Sequence, residues 1–279
     1  MSDALVVDKL SFTLKETVSL EKAKKSFSYR MTHFEKTGMS KIQVENRVLE
    51  NVNLKLAAGE TLCLGGPSGR GKSLFLRILA GLEKPQTGNL YYFGEHLPRE
   101  KHTALEIAKR QVGFVLQNGA LISNLTVRNN VALPLRYHKR GNEAEIAERV
   151  NMALDLMRVR DEEDKFPFML SIGMQKRVAI ARAWVMDPRL LLMDEPTAGL
   201  DNYNRRNLLP LIDNMRTLFK TSIIIVTHDL MMAQELGCKI CFLENRTLTE
   251  PHYFDYWLHS KELFAQQFFR DLRNRGENI

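Results

Sequence analysis

Gly66-Pro67-Ser68-Gly69-Arg70-Gly71-Lys72-Ser73 is the stretch that decides how this chain folds. It fits G-x-x-x-x-G-K-[ST], in which glycines let successive backbone N–H groups converge on phosphate oxygens at the start of a helix. Lys72 offers a point charge to the β- and γ-phosphates, and Ser73 a hydroxyl to Mg2+. The same octet arises by chance in unrelated chains, so its flanks carry the weight. Thr61-Leu62-Cys63-Leu64 reads as a short buried strand ahead of it. Leu74 to Ala80 reads as the helix after it, stopped by Gly81 at the expected cap position.

Two more apolar runs end in polar groups. Leu190-Leu191-Leu192-Met193 leads to Asp194-Glu195, and Ile223-Ile224-Ile225-Val226 leads to Thr227-His228-Asp229. A carboxylate at a strand end emerges at the sheet edge where doubly wound folds bind ligands, so Asp194 suits a water-bridged Mg2+. Glu195 falls on the other side of the pleat, within reach of an attacking water as general base. Between the phosphate loop and this acidic strand lies Leu170-Ser171-Ile172-Gly173-Met174-Gln175, opening a helix through Val178, Ala181 and Val185. The Ser171 hydroxyl and the Gly173 amide at a helix start form a second anion site. One nucleotide rarely needs two such ends. The second is expected to serve the ATP of another subunit.

In this order the motifs resemble the ATPase subunit of an ATP-binding cassette (ABC) transporter, from about Val6 to Glu250. The resemblance implies an α/β P-loop NTPase core of ABC type with antiparallel β and α-helical subdomains. It implies two ATP with Mg2+ sandwiched in a head-to-tail homodimer. It matches Gln117 to a glutamine that approaches Mg2+ and starts the segment sensing the membrane subunit, and His228 to a histidine on the γ-phosphate. Asp201, after Pro196-Thr197-Ala198-Gly199-Leu200, matches a position on a loop that meets the partner. Phe12 fits the spacing of the aromatic that stacks on adenine, with Tyr29 and Phe34 as rivals. The chain departs from the family at Ile172, where glycine is usual. Ile tolerates positive φ badly and carries bulk toward the phosphate, which suggests a weakened contact or a non-hydrolysing regulatory subunit.

The segments divide as 1–117, first part of the core, with a basic polar insert at about 15–45; 118–186, the helical subdomain; 187–250, the rest of the core; and 251–279, a helical extension. Asn142 and Glu145 have capping-box spacing, and Ile146, Val150, Ala153, Leu154 and Met157 form one helical face. In the extension, Phe264, Phe268, Phe269 and Leu272 are spaced to pack back on the body. Cys238-Lys239-Ile240-Cys241 lacks a second pair and reads as core.

The 279 residues carry a net charge of +7, concentrated at Lys22, Lys24, Lys25, Arg30, Lys36 and Lys41 and at Arg270, Arg273 and Arg275. A solvated surface accounts for this, and no nucleic-acid partner is expected. No apolar run approaches the roughly 18 residues of a membrane span, and the N-terminus lacks the pattern of a secretion signal. The expected location is therefore the cytoplasmic side of an inner membrane, bound peripherally. The stretch Asn118 to Val127, with Val131-Ala132-Leu133-Pro134-Leu135 behind it, resembles Mla/Mce-type ATPases. That implies phospholipid transport with an integral membrane permease and a lipid-binding subunit. ATPases of lipoprotein release or cell division share every motif. Soluble cassettes acting on ribosomes or DNA are opposed by the lack of a second cassette.

Overall fold

The computed structural model describes residues 3–19, 41–98 and 111–274. Two sheets form. An antiparallel sheet comprises β1 (Asp3–Ser19), β2 (Lys41–Ala57), β4 (Thr87–Tyr92) and β5 (Glu95–Leu97), in the order β2-β1-β4-β5. A six-stranded sheet comprises β3 (Thr61–Gly65), β6 (Val112–Val115), β7 (Leu190–Asp194), β8 (Ser222–Val226), β9 (Lys239–Glu244) and β10 (Thr247–Leu248), in the order β10-β9-β3-β8-β7-β6. All its pairings are parallel except β9 with β10.

Strands β3, β7 and β8 are buried along their whole length, as their unbroken apolar runs require. Their side chains still alternate between two cores. Cys63, Leu191, Met193, Ile223 and Ile225 join the helical side. Leu62, Leu64, Leu190, Leu192, Ile224 and Val226 join the side shared with the antiparallel sheet and helix α1 (Lys72–Leu79). Tyr92 on β4 donates its buried hydroxyl to the Leu79 carbonyl and ties that sheet to α1. Gly81, with φ +70, ends α1 in the left-handed conformation, as expected of that cap.

The helical subdomain packs α2 (Val127–Tyr137), α3 (Glu143–Leu156) and α4 (Ile172–Trp184) together. The capping box at Asn142 and Glu145 is present, and the predicted apolar face of α3 is buried. A link that the pattern did not show is Asn130, wholly buried on α2. Its amide exchanges bonds with Ile122 at 2.8 and 3.0 Å and donates to the Leu125 and Thr126 carbonyls at 3.0 and 3.1 Å.

Beyond α5 (Asn202–Phe219) and α6 (Met231–Glu235), the described part of the extension forms α7 (Phe254–Leu258) and α8 (Leu263–Asn274). It packs back on the body: Phe254, Trp257, Ala265 and Phe269 are buried. The side chains of Phe268 and Leu272, the tail Arg275, and Tyr29 and Phe34 lie outside the described residues. Cys63, Cys238 and Cys241 are free and buried, as core packing predicts. Pairing of β1 with β2 continues past Leu14 to Ser19↔Lys41, so both ends of the stretch at about 15–45 are strand, and residues 20–40 lie outside the described residues.

Trp257 anchors the extension. Its indole N–H donates to the Ile240 carbonyl at 2.8 Å, and its ring meets Phe242 edge-on at 4.9 Å. Trp257→Ala removes a fully buried ring and a buried hydrogen bond. It is expected to destabilise the fold by about 3–5 kcal/mol, read as a lowered midpoint in denaturant unfolding.

Candidate functional site

The register of the parallel sheet sets the site. Leu64 lies opposite Val226, and Val226 opposite Asp194, so three strands leave the sheet at one level. The segments beyond these strand ends therefore converge: Gly66 to Ser73 after β3, Thr227 and His228 after β8, and Glu195 after β7. A cleft of about 750 Å³ opens there. It is lined by Ser68, Gly69, Gly71, Lys72, Ser73, Gln117, Glu195 and His228, with Leu14, Asn46 and Val48 on the antiparallel side.

Glycine is required in the loop for two reasons. Gly66 has φ +129, and a Cβ there would sit 2.8 Å from the Leu243 carbonyl oxygen on β9. Gly71, with φ +101, would drive a Cβ into Val48. Gly66 and Pro67 lie behind the cleft and present their carbonyls to Lys72 Nζ at 2.7 and 2.9 Å. Arg70 is exposed and does not line the cleft. Lys72 is almost wholly buried, and burial lowers its pKa against the opposing pull of Glu195 and Asp194.

Ser73 Oγ donates to Asp194 Oδ1 at 3.1 Å. With the Gln117 amide on the same cleft, these are hard oxygen donors of the kind Mg2+ prefers, and the donor set fits that ion. One protein carboxylate suffices when phosphates complete the shell. Among the described residues no group of three or more His, Cys, Asp or Glu gathers to hold a metal by itself.

Glu195 does not rely on the pleat to turn from Asp194. The strand ends at Asp194, and Glu195 takes φ +49, a left-handed conformation in which its N–H donates to the Val226 carbonyl at 2.9 Å. Its Oε1 lies 3.3 Å from His228 Nε2, and its Oε2 accepts from the His228 N–H at 3.3 Å. The Ser68 hydroxyl is also 3.3 Å from His228 Nε2. Burial raises the Glu195 pKa above the ordinary carboxylate range; the His228 N–H and the charges of Lys72 and Lys176 pull it back down.

Ser171, Gly173 and Asp201 stand apart; none of them lines this cleft. Ser171 caps α4, accepting from the Met174 N–H at 3.3 Å. Asp201 caps α5 and accepts from the backbone and side chain of Asn204 at 2.7 and 2.8 Å, which holds its pKa down. Gly173 packs against that Asn204: a Cβ would sit 2.9 Å from its Oδ1. Gln175 turns inward, donating to the Pro167 and Leu170 carbonyls at 3.0 and 3.1 Å.

Two expectations are corrected. Phe12 is 7% exposed within the core of the antiparallel sheet and does not line the cleft, so its ring is not available to a base. The described residues that line that side are Leu14, Asn46 and Val48. Ile172 is not strained. It is the first residue of α4, is absent from the positive-φ positions, and leaves its side chain 59% exposed.

A phosphate loop, a carboxylate pair and a histidine at one edge of a parallel sheet, with a helical subdomain attached, define a P-loop ATPase. The chain belongs to the ABC transporter family, whose model matches residues 49–198. It is 41% identical to the probable sulfate/thiosulfate import ATP-binding protein CysA of Chlorella vulgaris, over 71% of this chain and 82% of that protein. It is 33% identical to the lipoprotein-releasing system ATP-binding protein LolD 1 of Chlorobium chlorochromatii, over 73% and 83%. The probable ribonucleotide transport ATP-binding protein mkl of Mycobacterium leprae is 35% identical, over 85% and 68%. A dimeric ATP-binding cassette in a post-hydrolysis state, bound to ADP and Pi, superposes with a TM-score of 0.72 at 28% identity, over 89% of this chain and 98% of that one. The protein is the ATP-binding subunit of an ABC transporter, an ATPase working with ATP and Mg2+.

Gly66→Ala is expected to push the loop off β9 and weaken ATP binding more than about tenfold, given both the φ and the contact. Isothermal titration checks this, and an unchanged Kd would show that the loop relaxes around the methyl.

Proposed function

We propose that two copies of this chain close head to tail on two Mg-ATP and hydrolyse them to drive a membrane permease that moves phospholipid. The observation that carries the dimer is a separation within one chain. Lys72, Ser73, Glu195 and His228 share one cleft, while Ser171, Gly173 and Asp201 lie outside it. They are then left to complete the cleft of a second copy.

In the mechanism, Lys72 leaves its loop carbonyls and moves its ammonium onto the β- and γ-phosphates. Glu195 takes a proton from the water that attacks the γ-phosphorus, as the bond to the ADP oxygen breaks in line. A raised pKa makes it a better proton acceptor than an exposed glutamate. His228, beside both Glu195 and Ser68, orients the γ-phosphate. Ser73, Asp194 and Gln117 would hold Mg2+, which neutralises phosphate charge when bound. The base rests on Leu14 and Val48, with the Asn46 amide near its edge.

Glu195→Gln preserves shape and removes the acceptor. It is expected to bind ATP, accumulate as a dimer on gel filtration, and lose roughly a hundredfold or more in kcat. Lys72→Ala is expected to lose ATP binding itself. Wild-type turnover by Glu195→Gln would overturn the assignment.

The permease reading is supported by apolar surface around Gln117. Leu116 and Ile122 are exposed, whereas Leu121 packs half-buried on the helical core. No helix among the described residues is long and apolar enough to cross a membrane. With that apolar surface turned to a permease, the subunit sits peripherally, on the cytoplasmic side of an inner membrane. The lipid substrate and a lipid-binding subunit rest on the resemblance of Asn118 to Val127 to Mla/Mce-type ATPases. Lipoprotein release is the second reading, favoured by the relative named for it. Ile122→Asp is expected to lose co-purification with the permease from detergent extracts while ATP binding stays within about twofold. Phospholipid in the wild-type complex supports the first reading, and bound lipoprotein supports the second.

A further inference from the structure

Lys176 has no role in the motifs, yet its ammonium occupies the junction between them. It lies on α4, five residues after the Ser171 cap, and is 6% exposed. Its Nζ donates to the backbone carbonyl of Gln117, after β6, and to that of Glu195, after β7, the latter at 3.1 Å. Neither partner is a carboxylate. Burying an ammonium on two carbonyls costs desolvation that an apolar residue would avoid, so what the contact achieves is placement. Glu195 is the residue most in need of it. Its left-handed backbone is held by the Val226 carbonyl on its N–H side and by Lys176 and the Ala198 N–H on its own carbonyl. The loop after Gln117 is clasped to the same helix by Arg182, which donates to Gly119 and Ala120 at 2.6 and 2.8 Å.

We propose that Lys176 is a positioning residue for hydrolysis, tying the helix that starts at Ser171 to the backbone at Gln117 and Glu195. The proposal rests on the reading of Glu195 as general base. A shift of α4, whose cap faces the second copy in the dimer, is transmitted through the ammonium to the peptide that aims the Glu195 carboxylate. Closure on ATP and alignment of the base are thereby one movement.

The test is steady-state ATPase of the purified full chain. Lys176→Met keeps the aliphatic stem and removes the charge. It is expected to lower kcat at least about tenfold with KM within about threefold, and Lys176→Arg is expected to recover kcat to within about threefold of wild type. Wild-type kcat in Lys176→Met overturns the proposal. So does a loss that Lys176→Arg does not recover, or a rise in KM that matches the fall in kcat, since either marks the lysine as packing or as a nucleotide contact. Glu195→Gln run alongside separates the two readings: normal turnover there removes the general base, whereas an inactive Glu195→Gln with an active Lys176→Met removes only the positioning role. Should Lys176→Met fail to fold by circular dichroism, Lys176→Gln, too short to span both carbonyls, is judged by the same criteria.

Discussion

The parallel register of β3, β8 and β7 is the constraint on which the rest depends. Leu64, Val226 and Asp194 stand at one level, and the strands they end are buried on both faces. A strand so buried can present polar chemistry only where it leaves the sheet. Three strands leaving together gather a phosphate loop, a carboxylate pair and a histidine from distant parts of the sequence; Ser68 and His228, which meet there, are 160 residues apart. The hydrophobic alternation that fills the two cores thus fixes the geometry of the cleft as well as the stability of the fold.

The charges at that edge are arranged to keep both lysines off the carboxylates. Lys72 and Lys176 are both buried beside Asp194 and Glu195, yet each ammonium donates to backbone carbonyls. Asp194 accepts from a hydroxyl, and Glu195 from a backbone N–H. Had either lysine formed a direct ion pair with Glu195, its pKa would fall and its capacity to take a proton would fall with it. Keeping the cations a short distance away supplies field without neutralising the base.

Most of this edge was legible in the sequence, because loop, strand ends and signature are local patterns with fixed spacing. The structure brings the phosphate loop, Glu195 and His228 to one cleft, with Asp194 bonded to Ser73. Phe12 was misplaced because spacing counts residues but does not say which face of β1 looks inward, and the bulges between Val7 and Thr13 make that face hard to count. Asn130 and Lys176 escaped because their partners are backbone groups, which leave no trace in residue type. The turn at Glu195 escaped for a related reason: its φ is imposed by the Val226 carbonyl on a neighbouring strand.

The signature stretch also serves a purpose within its own chain. Gly173 lies against Asn204, and Asn204 holds Asp201 through backbone and side chain. Any larger residue at 173 would displace the cap of α5 before it met a nucleotide. Gln175 likewise spends its amide on the turn before α4 rather than on a ligand. Ile172, like Ser171 and Met174, is exposed to solvent, and nothing in its own chain requires glycine there. The family pattern at the start of α4 is therefore two constraints superimposed. Ser171, Gly173 and Gln175 are fixed by packing of α4 against α5 and the preceding turn. Position 172 answers only to what docks from outside, which is where this chain is free to differ.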